Sequence, residues 1–226
     1  MKNNAIPVIT IDGPSGSGKG TVSRAVARAL GWHFLDSGAL YRILALAAAE
    51  AGLDEPEAVA ALAPGLAIRF AADEQGEEQI FLAEQDVTRQ VRAEETGASA
   101  SRLAAAPPVR AALVGLQHAF RQPPGLVADG RDMGTVIFPD ARLKIFLTAS
   151  AGERALRRHK QLNQKEKNAS LAALSEEITA RDQRDAERPI SPLKPAPDAV
   201  VLDTTGIPAQ AVIEQVLALS EKALTP

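Results

Sequence analysis

Residues 8–21, VITIDGPSGSGKGT, decide the fold. Val8, Ile9 and Ile11 form an apolar run that ends at Asp12. Glycines follow at 13, 16 and 18, then Lys19, then an amphipathic stretch. The pattern reads as a buried strand, a tight loop and a helix start. Glycine has no Cβ and tolerates φ > 0, so several N–H groups can turn toward one anion. The positive end of the following helix favours the same anion, and Lys19 adds a mobile cation for β- and γ-phosphates. The candidate set for a nucleotide phosphate is Gly13, Pro14, Ser15, Gly16, Ser17, Gly18, Lys19, Gly20 and Thr21. The plainer alternative is a strand-to-helix turn with an incidental lysine.

One position departs from the common phosphate loop, which carries Ser or Thr directly after the lysine. Here that position is Gly20. Thr21 is the hydroxyl left to reach a phosphate or a metal-bound water, so no protein metal ligand is assigned with certainty. The form GxxGxGKGT resembles nucleoside monophosphate kinases more than GTPases.

Outward from this loop, short apolar runs alternate with helical patterns. Strands are expected at Val8–Ile11, His33–Leu35, Leu126–Ala128, Leu143–Leu147 and Ala199–Leu202. Helices are expected at Thr21–Leu30, Leu40–Ala51, Ala151–Gln161, Leu171–Glu187 and Ala209–Ala223. This predicts an α/β fold with a five-stranded parallel sheet flanked by helices. Ligands in such folds sit beyond the carboxyl ends of the strands, where Asp12, Asp36, Asp129 and Asp203 should converge. Within residues 62–95, Leu66, Ile68, Phe70, Ile80 and Leu82 alternate at period two around a polar turn, which predicts a small antiparallel insert. Residues 162–170, LNQKEKNAS, read either as a solvated loop or as part of a helical lid. The expected organisation is one phosphate-loop unit over 1–226, an acceptor region over 37–125 holding the insert, and a lid region over 153–190.

Composition narrows the function. The chain has 226 residues, net charge −3 and no cysteine. That excludes a disulfide framework and thiolate metal sites, and bulk charge gives no reason to expect a long nucleic acid. Three dispersed histidines lack ligand spacing. No stretch approaches the apolar length of a membrane span, so a soluble cytoplasmic enzyme is expected.

Three constellations carry chemistry. Asp36, Ser37, Gly38, Tyr41 and Arg42 follow the second strand. Ser37 can cap the next helix, and Arg42 one turn on could hold a second phosphate. The plainer reading keeps the cap, a surface Arg42 and a core Tyr41. In the second, Asp129, Arg131 and Asp132 lie between glycines after the third long apolar run. Arg131 can clamp a phosphate in bidentate fashion. Asp132 can accept from an exocyclic amine, a pairing that uracil cannot return; a turn held by internal ion pairs is the alternative. The third is the basic helix. Arg154, Arg157 and Arg158 share one face at i, i+3, i+4, and Arg181, Asp185 and Arg188 another at i, i+4, i+7. Either these are salt-bridged solvent faces or they form a guanidinium cage for phosphoryl transfer, which needs positioned cations and no general base.

VITIDGPSGSGKGT, LDSGALYR, ASASRLAAAPPVR, ADGRDMGTVIFPDA, KIFL and ARDQRDAERPISPL together resemble the bacterial cytidylate kinases, a family of nucleoside monophosphate kinases, over nearly the whole length. The resemblance implies ATP on Gly13–Thr21, Mg²⁺ carried with the ATP, and CMP or dCMP as acceptor. It implies that Ser37, Arg42, Arg131 and Arg188 hold the acceptor phosphate, that Ser101, Arg110 and Asp132 read cytosine, and that Arg181 and Asp185 hold the pentose. Arg154, Arg157 and Arg158 resemble lid arginines. Lys19, Arg131 and Arg158 are the expected catalytic cations. A monomer is implied as well. The alternatives are a kinase for another monophosphate such as UMP and a GTP-binding switch. The switch would need an Asn-Lys-x-Asp guanine reader that this chain lacks.

Overall fold

The five apolar runs become one parallel sheet in the computed structural model, which describes residues 6–72, 78–163, 170–187 and 190–225. Its strands are β1 (Val8–Asp12), β2 (His33–Asp36), β6 (Leu126–Gly130), β7 (Leu143–Thr148) and β8 (Val200–Asp203), in the order β2-β6-β1-β7-β8. Every residue of β1 and β6 is buried, as continuous apolar runs covered on both faces should be. The chain leaves β1 toward β2 on one side and returns through β6 to β7 on the other. The carboxyl ends of β1 and β6 therefore flank the point where the winding reverses, which is where ligands bind in open α/β sheets.

The chain divides into two compact units, Met1–Asp36 with Ala119–Pro226, and Ser37–His118. The first holds the parallel sheet with α1 (Lys19–Leu30), α7 (Ala151–Asn163), α8 (Leu171–Ala186) and α9 (Ala209–Leu224). Ile9, Ile11, Val127, Ile145 and Leu147 pack with Val22 and Val26 of α1 and Val212 and Val216 of α9. Alternate strand residues face one side, so this cluster is one face of the sheet meeting two helix stripes.

The second unit holds α2 (Ser37–Ala51), α3 (Pro56–Leu62), α4 (Thr88–Val91), α5 (Glu94–Leu103) and most of α6 (Pro107–Ala119). It also holds the antiparallel insert, β3 (Ile68–Ala72), β4 (Glu78–Leu82) and β5 (Gln85–Asp86). The period-two pattern thus gives the sheet it predicts. Its inward side packs Ile80 with Val87 and Val91 against Ala39 and Ile43. Tyr41 and Leu44, on the same helix α2, meet Val59, Val109 and Leu113 in a second cluster. Helix α2 begins at Ser37 itself, directly after β2. Ser37 is therefore the first helical residue and does not cap from outside. No helix among the described residues is long and apolar enough to cross a membrane.

Candidate active site

The loop after β1 is built on glycine. Gly13 has φ +149°, and a Cβ there would lie 2.0 Å from the Leu147 carbonyl oxygen. Gly18, at φ +91°, leads into α1. The loop carbonyls are held from outside. Lys19 Nζ donates to Pro14 O at 2.8 Å, Arg154 Nη1 to Ser15 O at 3.2 Å, and the Thr204 hydroxyl to Ser17 O at 3.1 Å. Lone pairs engaged in this way do not repel an incoming anion. The Ser17 hydroxyl is buried without a hydrogen-bond partner.

Charge concentrates at the ends of β1, β2 and β6. The register sets Asp36 beside Asp129 and Asp12 beside Gly130. Burial raises the Asp129 carboxyl, and the neighbouring Asp36 raises it further against the pull of Lys19. Burial lowers the Lys19 ammonium, and Arg131 and Arg181 lower it further by repulsion. Asp12 is pushed up to about 6 by burial, although the N–H groups of Met133 and Gly134 stabilise its charged form. Two guanidinium groups are thus gathered around a buried lysine. Arg131 Nε also pairs with Asp185 at 3.1 Å, and that carboxylate is fully buried. The structure brings Lys19, Asp129, Arg131, Arg181 and Asp185 of the first unit into one electrostatic group.

Helices α7 and α8 add guanidinium groups. Arg154 makes a two-pronged pair with Asp182, one bond at 2.9 Å, and also donates to Ala149 O. Arg157 pairs with Glu153 one turn earlier at 2.8 Å and donates to the Thr204 hydroxyl at 3.0 Å. Both arginines therefore face the phosphate loop. Arg158 is half-buried and bonds Gln161 at 3.4 Å, along its own helix. The shared helical face of the three arginines does not translate into one shared set of partners. Thr21 is exposed. Arg188 and residues 164–169 of the expected lid lie outside the described residues.

In the second unit, Arg42 donates to the carbonyls of Val91 at 2.9 Å and Ala93 at 3.1 Å. Gly97 lies beneath it, where a Cβ would fall 2.6 Å from the guanidinium. Tyr41 is a core residue, in line with the plainer reading of that helix. Gly38 is exposed and Ser37 buried. The Ser101 hydroxyl is buried without a hydrogen-bond partner. Arg110 is buried and donates to Ala104 O at 3.2 Å.

Sequence reasoning missed Asp182 and Thr204. Asp182 pairs across 28 positions with Arg154, which no local spacing reveals. Thr204 follows Asp203, the strand-end carboxylate expected to converge on the site. Asp203 instead accepts from Thr205 N at 2.9 Å and from its hydroxyl, so it serves a local turn on the exposed side. The inward residue is its neighbour. The alternation of a strand end was the available signal.

The family model described as "Cytidylate kinase" matches residues 9–222. Cytidylate kinase of Pseudomonas paraeruginosa is 55% identical over 218 residues, 95% of each chain. Cytidylate kinase of Stutzerimonas stutzeri is 56% identical over 215 residues, 94% of each. That of Marinomonas sp. is 54% identical over 222 residues, covering 97% of this chain and 98% of the other.

Proposed function

The chain belongs to the cytidylate kinase family and phosphorylates CMP as a nucleoside monophosphate kinase, and we propose that ATP carried with Mg²⁺ is the donor, that dCMP is a second acceptor, and that transfer is direct and in line. The observation that carries this reading is the buried ammonium of Lys19, depressed by burial and by Arg131 and Arg181. Cations that repel one another inside a protein are stabilised by an anion placed among them. A transferring phosphoryl group spreads negative charge over its oxygens, and catalysis of that transfer is mostly positioning and cations.

The nucleotide donor supplies the phosphoryl group, and a Mg²⁺ ion bound with it would offset the negative charge of the donor phosphates. The residues present fit such an ion. Mg²⁺ binds through one or two carboxylates, retained waters and substrate phosphates, and Asp129 is a buried carboxylate that a nearby cation would return to its charged form. Asp129 and Thr21 are the groups that would hold the ion or its waters. Gly13–Gly18 cradle the donor phosphates. Lys19 swings from Pro14 O onto them. An oxygen of the acceptor phosphate, already ionised, attacks the γ-phosphorus as the bond to ADP breaks, so no side chain has to remove a proton. Arg131 and Arg188, with Ser37 and Arg42, orient that phosphate. Asp132, Ser101 and Arg110 read the base; the unpaired Ser101 hydroxyl supports its part. Arg181 and Asp185 hold the sugar. Helices α7 and α8 serve as the lid arms, with Arg154, Arg157 and Arg158 on them.

A panel of monophosphates assayed with ATP and Mg²⁺ tests this. CMP and dCMP should run far ahead of UMP and AMP. Equal rates across the bases would remove the assignment of Asp132.

A further inference from the structure

Asp132 is followed by one π-helical turn, Met133–Ile137. The Asp132 carbonyl closes the far end of that turn, accepting from Val136 N at 2.9 Å and Ile137 N at 3.3 Å. The first N–H groups of any helical turn lack partners within it. Here both go to one distant side chain. Met133 N donates to Asp12 Oδ1 at 2.9 Å, and Gly134 N donates to Asp12 Oδ2 at 2.8 Å. Both residues are buried, so water cannot take over. Thr10, on the same side of β1, closes the approach: a Cβ on Gly134 would lie 2.7 Å from its hydroxyl oxygen. Asp12 is also the last residue of β1, and Gly13 of the phosphate loop follows it.

We infer that Asp12 is a positioning residue for choice of the acceptor base, its carboxylate fixing the turn from which Asp132 projects. The inference rests on the reading that Asp132 recognises cytosine. Charge-assisted bonds to both oxygens set the height and the rotation of that turn, because one acceptor alone would leave it a pivot. Asparagine at position 12 keeps one acceptor and turns an amide N–H₂ against the second backbone N–H.

Steady-state kinetics with CMP and with UMP, on wild type, Asp12→Asn, Gly134→Ala and Asp132→Asn, test the inference. Asp12→Asn should lower the CMP-over-UMP ratio of kcat/KM by about tenfold, comparable to one charge-assisted hydrogen bond. KM for CMP should rise, while kcat at saturation and KM for ATP stay within about threefold, as expected when acceptor binding alone is disturbed. Gly134→Ala should act in the same direction, because it displaces the turn and leaves the carboxylate in place. Thr10→Val removes a buried hydroxyl that has no hydrogen-bond partner and should keep the ratio. If Asp132→Asn narrows the ratio while Asp12→Asn and Gly134→Ala leave it unchanged, or lower both substrates equally, the inference is overturned and base reading by Asp132 stands. If Asp132→Asn leaves the ratio unchanged, base reading lies elsewhere and the inference falls with it. Should Asp12→Asn fail to fold in a thermal melt, Gly134→Ala decides alone.

Discussion

Alanine at Gly13 tests the phosphate cradle most directly. Its Cβ would lie 2.0 Å from Leu147 O, whereas real Cβ contacts essentially never fall below 3.0 Å. The opposing atom is strand backbone, so it cannot swing aside. The loop must therefore move by about 1 Å, and its φ of +149° adds strain of about 1–3 kcal/mol. A misplacement of about 1 Å at a reacting centre costs roughly 100-fold in rate. The expected result is a fall in kcat of about 100-fold with ATP and CMP saturating, together with loss of the thermal stabilisation that ATP and Mg²⁺ give wild type. Gly18→Ala supplies the comparison. Its Cβ would meet only the end of the Arg157 side chain at 3.7 Å, so φ strain acts alone and the loss should be smaller. Gly13→Ala turning over within about threefold of wild type, or losing no more than Gly18→Ala, would refute the argument that loop position controls transfer.

Other outcomes follow from the same geometry. Lys19→Ala should lower kcat by about 100-fold or more, since it removes a preorganised charge at the transferring group; pre-steady-state quench-flow measurement of the chemical step checks this. Burial pushes the Asp12 carboxyl up to about 6 from the ordinary aspartate range, so the folded state keeps this proton to higher pH than the unfolded chain. Its stabilising contribution is complete below about 3.8 and is lost as pH rises through 6, by about 3 kcal/mol at most. Urea denaturation from pH 4 to 7 should show wild type losing stability relative to Asp12→Asn over that window; a constant gap between them would contradict the assignment. Thr204→Val removes the hydroxyl that accepts from Arg157 Nη1 and donates to Ser17 O, and should cost about 1–3 kcal/mol in the same assay. Thr204→Ser, which keeps the hydroxyl, should recover most of it.

The central strands β6, β1 and β7 were legible in the sequence because burial on both faces forces them into short apolar runs with turn residues at their ends, and the partly exposed edge strands β2 and β8 showed as shorter apolar runs. The phosphate loop was legible because its backbone shape is local: three glycines and a lysine within seven positions can build it alone. The antiparallel insert showed through its period-two alternation around Ile68, Phe70, Ile80 and Leu82. Periodicity assigns a residue to a face but not to a partner, and there the sequence ran out. Arg154, Arg157 and Arg158 read as one cluster, yet packing gave Arg154 to Asp182, Arg157 to Thr204 and Arg158 to its own helix. Tyr41 sat in a motif with Ser37 and Arg42, and the helix turned its ring into the core. Asp12 read as one more strand-end carboxylate. Only the parallel register of β1 and β6, which sets Asp12 beside Gly130, brought it under Met133 and Gly134. Backbone conformation is settled by neighbours a few residues away. The pairing of buried charges is settled by which strands lie side by side, and that depends on contacts more than a hundred residues apart in the chain.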